Sequence, residues 1–246
     1  MHKDLAMNSK IKKIVKISAL SLAGLITILI ISALVLVYVI ITPERLTPIV
    51  KKQLKNYIVT EVQLDQVELT IFSTFPKLSV RIENISIQNG VKGAPNDLFL
   101  KAKNIDVALN IRALLFENQV KISGITLQDA QVHAYCDHSG KANYMIMKSD
   151  PADTSSQGFD LISLDFIRFI NSTISYDDDQ SGIYFSAANL DGKLRDMMIT
   201  DDSFQTEIQL KSSDLYMGIG SDPYWNHFPL KLKMGFEYRF DSGDIH

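Results

Sequence analysis

Four segments of the chain share one arrangement of apolar residues. In each, apolar side chains fill the first, third, sixth and eighth places, and a polar residue or glycine fills the fifth. The segments are residues 62–69 around Gln66, 80–87 around Asn84, 100–107 around Asn104 and 120–127 around Gly124. Their starts at Val62, Val80, Leu100 and Val120 lie 18, 20 and 20 residues apart, so a strand with its connection is an internal repeat. Alternation of Val, Ile and Leu with polar residues is the signature of a strand. The step from the third to the sixth place changes parity. A regular strand would then send its two apolar pairs to opposite faces, whereas a bulge at the fifth place returns them to one face. Either way each strand bends at that point.

The repeat predicts a chain made mostly of sheet. Residues 129–135 extend the fourth segment, and strands resume at 163–176, 182–194, 204–216 and 229–240. Turns at 177–182, 201–203 and 218–223 join them, and the polar stretch 148–160 with Pro151 reads as a loop. Residues 111–116 form a short apolar helical turn, a candidate plug for one end of the sheet. The expected fold is mainly β: a long curled antiparallel sheet forming an apolar groove, with short helices near the start.

Ahead of the sheet lies a segment of another kind. Residues 17–41 contain no charge and no proline, and Pro43 follows them. As a helix rising about 1.5 Å per residue this run reaches roughly 37 Å, against about 30 Å of bilayer hydrocarbon. Lys3, Lys10, Lys12, Lys13 and Lys16 precede it with only Asp4 opposing them, which places the N-terminus on the cytoplasmic side. The run is longer than a signal-peptide core and no A-x-A site ends it, so an uncleaved anchor is expected. After it, Leu46, Ile49, Val50, Leu54 and Tyr57 recur at helical spacing. The expected organisation is a basic tail (1–16), a transmembrane signal anchor (17–41), a juxtamembrane helix (42–58), a first sheet region (59–147), a loop (148–160) and a continuing sheet (161–246).

Charge and composition narrow the function. The net charge is −3, and the basic tail leaves the rest of the chain distinctly acidic. That disfavours nucleic acid as a partner. A single cysteine, Cys136, excludes an internal disulfide. His133, Cys136 and His138 imitate a metal motif, but strand alternation sends His133 and Cys136 to opposite faces. Asp177, Asp179, Ser181 and Gly182 resemble the start of a calcium loop, yet the twelfth place is Ala188 where a glutamate is needed. No nucleophile elbow or phosphate loop occurs, so no enzyme, catalytic residue, metal or cofactor is expected. Tyr224, Trp225 and Phe228 form the densest aromatic group and read as a loop packed on the sheet.

The order of these features resembles the AsmA family of envelope proteins. The resemblance rests on the basic N-terminus, the anchor, the short helix, Phe75-Pro76 leading into 78–87, the Asn-Ile or Gly-Ile kinks, and Gly140-x-x-Asn143-Tyr144. It covers residues 1 to about 150 well and the remainder more weakly. It implies a protein anchored in the bacterial inner membrane and projecting into the periplasm, linked to outer-membrane biogenesis and phospholipid movement. The candidate lipid-groove residues are Val80, Ile82, Ile85, Ile87, Ile105, Val107, Ile122, Ile125 and Leu127. Membrane lipids are the expected partners, through their acyl chains, together with envelope proteins. Family members are usually much longer. Some ten strands at about 4.8 Å would give a groove of roughly 50 Å, short of a whole periplasm.

Overall fold

A computed structural model describes residues 9–40, 42–70, 78–110, 112–113, 117, 119, 121–148, 164–200 and 203–239. Two units result, residues 1–42 and residues 43–246. The first holds α1 (Ser9–Ile40), one helix of 32 residues. Among the described residues no helix is long and apolar enough to cross a membrane. The side chains of Ile30, Ile31 and residues 33–41, part of the expected anchor, lie outside the described set.

The second unit opens with α2 (Pro43–Tyr57). Pro43 is at home at the first helical position, where no backbone donor is needed. Nine strands follow: β1 (Val62–Gln63), β2 (Val67–Thr70), β3 (Ser79–Gln88), β4 (Leu98–Leu109), β5 (Ile122–Cys136), β6 (Phe166–Asp178), β7 (Ile183–Ile199), β8 (Ser203–Ile219) and β9 (Asp222–Arg239). They make one open sheet in the order β1-β3-β4-β5-β6-β7-β8-β9, with β2 also pairing β3 on the β1 side.

The sheet is mixed rather than antiparallel throughout. β5 and β6 run parallel, with Ile125 opposite Ile167 and Val132 opposite Ile174. The reason is the connection between them. After Cys136 the chain turns back, forming bridges Cys136–Ala142 and Ile58–Met147, so it re-enters the sheet from the end where β5 began. A parallel neighbour requires such a long return. The C-terminal strands also run longer than their alternation suggests. Tyr224, Trp225 and Phe228 belong to β9 rather than to a loop, and the turn before them tightens to two residues, Gly220 and Ser221. Most of the expected plug at 111–116 and most of the loop at 148–160 lie outside the described residues.

One core sits beneath α2. Leu46, Val50 and Leu54 of the helix pack on a cluster containing Ile58, Leu64, Val67, Ile82, Ile85, Ile87, Leu100, Ala102 and Ala130. Thr47 fastens the helix by accepting the backbone N–H of Val67 at 2.9 Å. An amphipathic helix must bury its stripe somewhere, and α2 buries it on the apolar side of the first strands, so that end of the expected groove is filled.

Candidate functional site

The strand registers sort the whole sheet into two faces. Across the strands, Val80, Val107, Ile125, Ile167, Leu194, Ile208 and Met234 stand successively opposite one another from β3 to β9. A second row runs Val67, Ile82, Ile105, Leu127, Phe169, Gly192, Leu210, Leu232. A third runs Val62, Ile87, Leu100, Val132, Ile174, Ala187, Leu215, Phe228. The opposite face is polar over the same width. Arg81, Asp106, Thr126, Arg168, Lys193, Gln209 and Lys233 form one such row. Arg81 holds Asp106 in a two-pronged ion pair, 2.7 and 2.9 Å, and that hydrogen bond raises the guanidinium pKa still further.

Left-handed residues keep the apolar face on one side. Asn84, Asp129, Asn171, Asn189 and His227 have φ between 46° and 53°. Each sits mid-strand where cross-strand pairing is interrupted, and a single residue of this kind reverses the alternation that follows it. Phe185 and Ala187 precede Asn189, for instance, and Leu190 and Leu194 follow it on the same face. Asparagine and aspartate tolerate this backbone best among non-glycine residues. Their side chains join neighbouring strands: Asn84 donates to Asp65 (2.7 Å), Asn171 to Asp129 (2.6 Å) and Asn189 to Ser213 (2.7 Å). His227 Nδ1 lies 3.0 Å from Asp214. Of the four fifth-place residues in the repeat, Asn84 adopts this backbone, while Gln66, Asn104 and Gly124 do not. Gly124 is small for another reason, because a Cβ there would collide with the Phe166 ring. The bend of β5 falls instead at Asp129, a position that the repeat did not reveal.

The nine groove candidates divide into two groups. Ile82, Ile85 and Ile87 are 7%, 3% and 5% exposed within the core under α2, and Val80, Ile105 and Leu127 pack against it. Val107, Ile122 and Ile125 are half-buried and lie outside that cluster. All nine belong to strands whose registers align them with the apolar face. The sequence did not single out the continuation of that face on β6–β9. There, Ala187, Leu190 and Leu215 are buried among Phe169, Ile174, Phe185, Leu210, Phe228 and Leu230. Beyond marginal contacts, β6–β9 meet no helix or strand other than their neighbours in the sheet among the described residues; Tyr144 of the return after β5 reaches Tyr176 at the end of β6, ring centroids 6.4 Å apart.

The Gly140-x-x-Asn143-Tyr144 motif has a clear structural task. Asn143 is 2% exposed. Its Oδ1 accepts the Tyr135 N–H and its Nδ2 donates to the His133 carbonyl, both at 2.8 Å, while its own N–H donates to the Tyr135 carbonyl at 2.9 Å. One side chain thus replaces a missing strand neighbour. Beside it, Tyr135 donates to Asp179 at 2.5 Å, which pushes the phenol pKa up to about 12. His133 contacts Ser175 on the polar face, Nδ1 to Oγ 2.8 Å, whereas Cys136 alternates to the other face, as expected.

Architecturally this is an open, mixed, two-faced β-sheet with a helix folded onto one end of its apolar side. The family model for the AsmA family matches residues 11–213. The chain belongs to the AsmA family. Comparisons with curated proteins and with solved structures found no match.

Proposed function

We propose that this chain is an inner-membrane-anchored periplasmic protein that binds phospholipid acyl chains on the bare apolar face of β6–β9, in the service of outer-membrane biogenesis. The observation that carries this reading is the contrast within one face. α2 covers its first part, while the same three apolar rows continue over β6–β9 with no helix or strand laid on them among the described residues. Apolar surface left in water costs about 25 cal/mol per Å², so a face of this extent fits an apolar occupant. Family membership supports an envelope role. The anchor reading is supported by α1, whose apolar side chains from Val15 to Leu29 are exposed. Its Thr27 hydroxyl is satisfied by the Ala23 carbonyl at 2.8 Å. The positive flank orients the N-terminus towards the cytoplasm. On this reading the protein is not an enzyme and takes no nucleic acid.

The test is site-specific photo-crosslinking in membranes. Probes at Phe185, Leu210 and Leu230 should capture phospholipid, and probes at Lys193, Gln209 and Lys231 on the other face should not. Equal labelling of both faces, or none on the apolar one, would reject the proposal.

A second reading is an adaptor for outer-membrane protein assembly that works by strand addition. Its own observation is β9, 18 residues long and paired on one side among the described residues. A free edge can accept a partner strand. Pro223 and Pro229 lie within it and lack backbone donors, which weakens this reading. Crosslinks from β9 to envelope proteins, with no lipid on the face, would favour it.

A further inference from the structure

The polar face carries a site of its own. Across β5, β6 and β7, Tyr135 stands opposite Asp177, and Asp177 opposite Tyr184. A carboxylate is thus flanked on either side by a tyrosine, as direct cross-strand neighbours on one face, where Cβ atoms lie about 5 Å apart. The next row is His133, Ser175 and Ser186. Asn89, Pro95 and Asn96 of the β3–β4 connection join both rows in lining an open cavity of about 350 Å³. We propose that this cavity binds the protonated amine of a small hydroxylated primary amine, an amino alcohol or amino sugar, with the ammonium on Asp177 between Tyr135 and Tyr184.

Three observations lead there. The lining contains a carboxylate but no lysine or arginine, so an anion is repelled and a cation attracted. Asp178 and Asp179 add to the negative field at Asp177. Aromatic rings beside a carboxylate suit an organic ammonium, which is drawn to ring faces as well as to the opposite charge. Lastly, the side chains of Thr173, Asp177, Tyr184 and Ser186 make no hydrogen bond within the protein among the described residues, although all four line the cavity. Hydroxyls and amides around one charged point provide partners for a polyol, and a volume of this size lies at the small end of ligand pockets. This inference does not rest on the lipid reading, since it concerns the other face of the sheet.

The experiment uses the full chain in detergent micelles and saturation-transfer NMR titrations. Glucosamine and ethanolamine should bind, and N-acetylglucosamine, which keeps the hydroxyls but loses the charge, should bind at least about tenfold more weakly. Asp177→Asn should weaken glucosamine by about tenfold or more. Tyr184→Ala, which keeps the carboxylate, should weaken it severalfold, so the proposal stays testable if the first variant folds poorly. Glycerophosphoethanolamine separates the sources: binding equal to ethanolamine assigns a lipid headgroup, and exclusion assigns a free amine. No binding of either amine, equal binding of glucosamine and N-acetylglucosamine, or undiminished binding by both folded variants would overturn it.

Discussion

Asn171 donates its side-chain amide to the Asp129 carboxylate at 2.6 Å across the parallel β5–β6 pair, and both residues hold a left-handed backbone. The bond joins the bends of two strands. Alanine at 171 would lose it and also strain the backbone. We expect Asn171→Ala to cost about 1–3 kcal/mol, and Asn171→Gly, which relieves only the strain, to cost less. Urea unfolding midpoints decide between them, and equal losses would show that backbone strain contributes nothing.

Asn143→Ala should be the more damaging change. It leaves the Tyr135 N–H and the His133 carbonyl without their partner in a buried place. About 2–4 kcal/mol is expected, from roughly 1–3 kcal/mol per unsatisfied group. Hydrogen exchange at the Tyr135 amide should accelerate in the variant, and an unchanged rate would mean that another acceptor takes over.

The cover provided by α2 makes a comparison possible. Ile85, enclosed beneath the helix, should lose about 2–4 kcal/mol on truncation to alanine. Leu232, half-buried on the uncovered part of the same face, should lose about 1 kcal/mol or less. Similar losses at the two sites in chemical denaturation would indicate that β9 has a covering layer as well.

Acidity acts on the polar face in two opposed ways. Burial holds the Asp177 carboxyl above its ordinary value, so the fold binds that proton more tightly than the unfolded chain does. Its contribution favours folding below about pH 3.9 and is lost as pH rises through the folded value. Asp177→Asn should therefore raise the unfolding midpoint at pH 7 and change it little at pH 3.

His133 works in the other direction. Burial lowers its pKa, so the fold prefers the neutral ring, and the stability this provides is lost as pH falls below about 6.5. Replacing it by glutamine should flatten stability between about pH 6.5 and 5. A denaturation series over that range in both proteins checks this, and parallel curves would contradict it.

Much of this architecture is legible in the sequence. The spacing of Leu46, Val50 and Leu54 marked α2, and the parity change at Asn84 marked a bend in β3; the left-handed backbone of Asn84 is what brings Val80, Ile82, Ile85 and Ile87 to one side. What stayed hidden depends on partners far along the chain. Nothing local in residues 122–136 and 166–178 says that they pair in parallel, because the intervening return decides it. The destination of the α2 stripe was hidden for the same reason. Gly124 misled because a small residue serves bends and close packing alike, and here the Phe166 ring explains it. The polar pocket was missed because Tyr135, Asp177 and Tyr184 are distant in sequence and meet only through register.

The unbroken apolar rows have a consequence for motion. Each row crosses strands spaced about 4.8 Å apart, and a hydrocarbon chain lying along it would meet nearly the same surface after each step from β6 to β9. A landscape with such a short repeat and no charged barrier offers many shallow resting places and no deep one. It resembles a track more than a pocket, and friction along it, rather than affinity at any single point, would set how fast something travels.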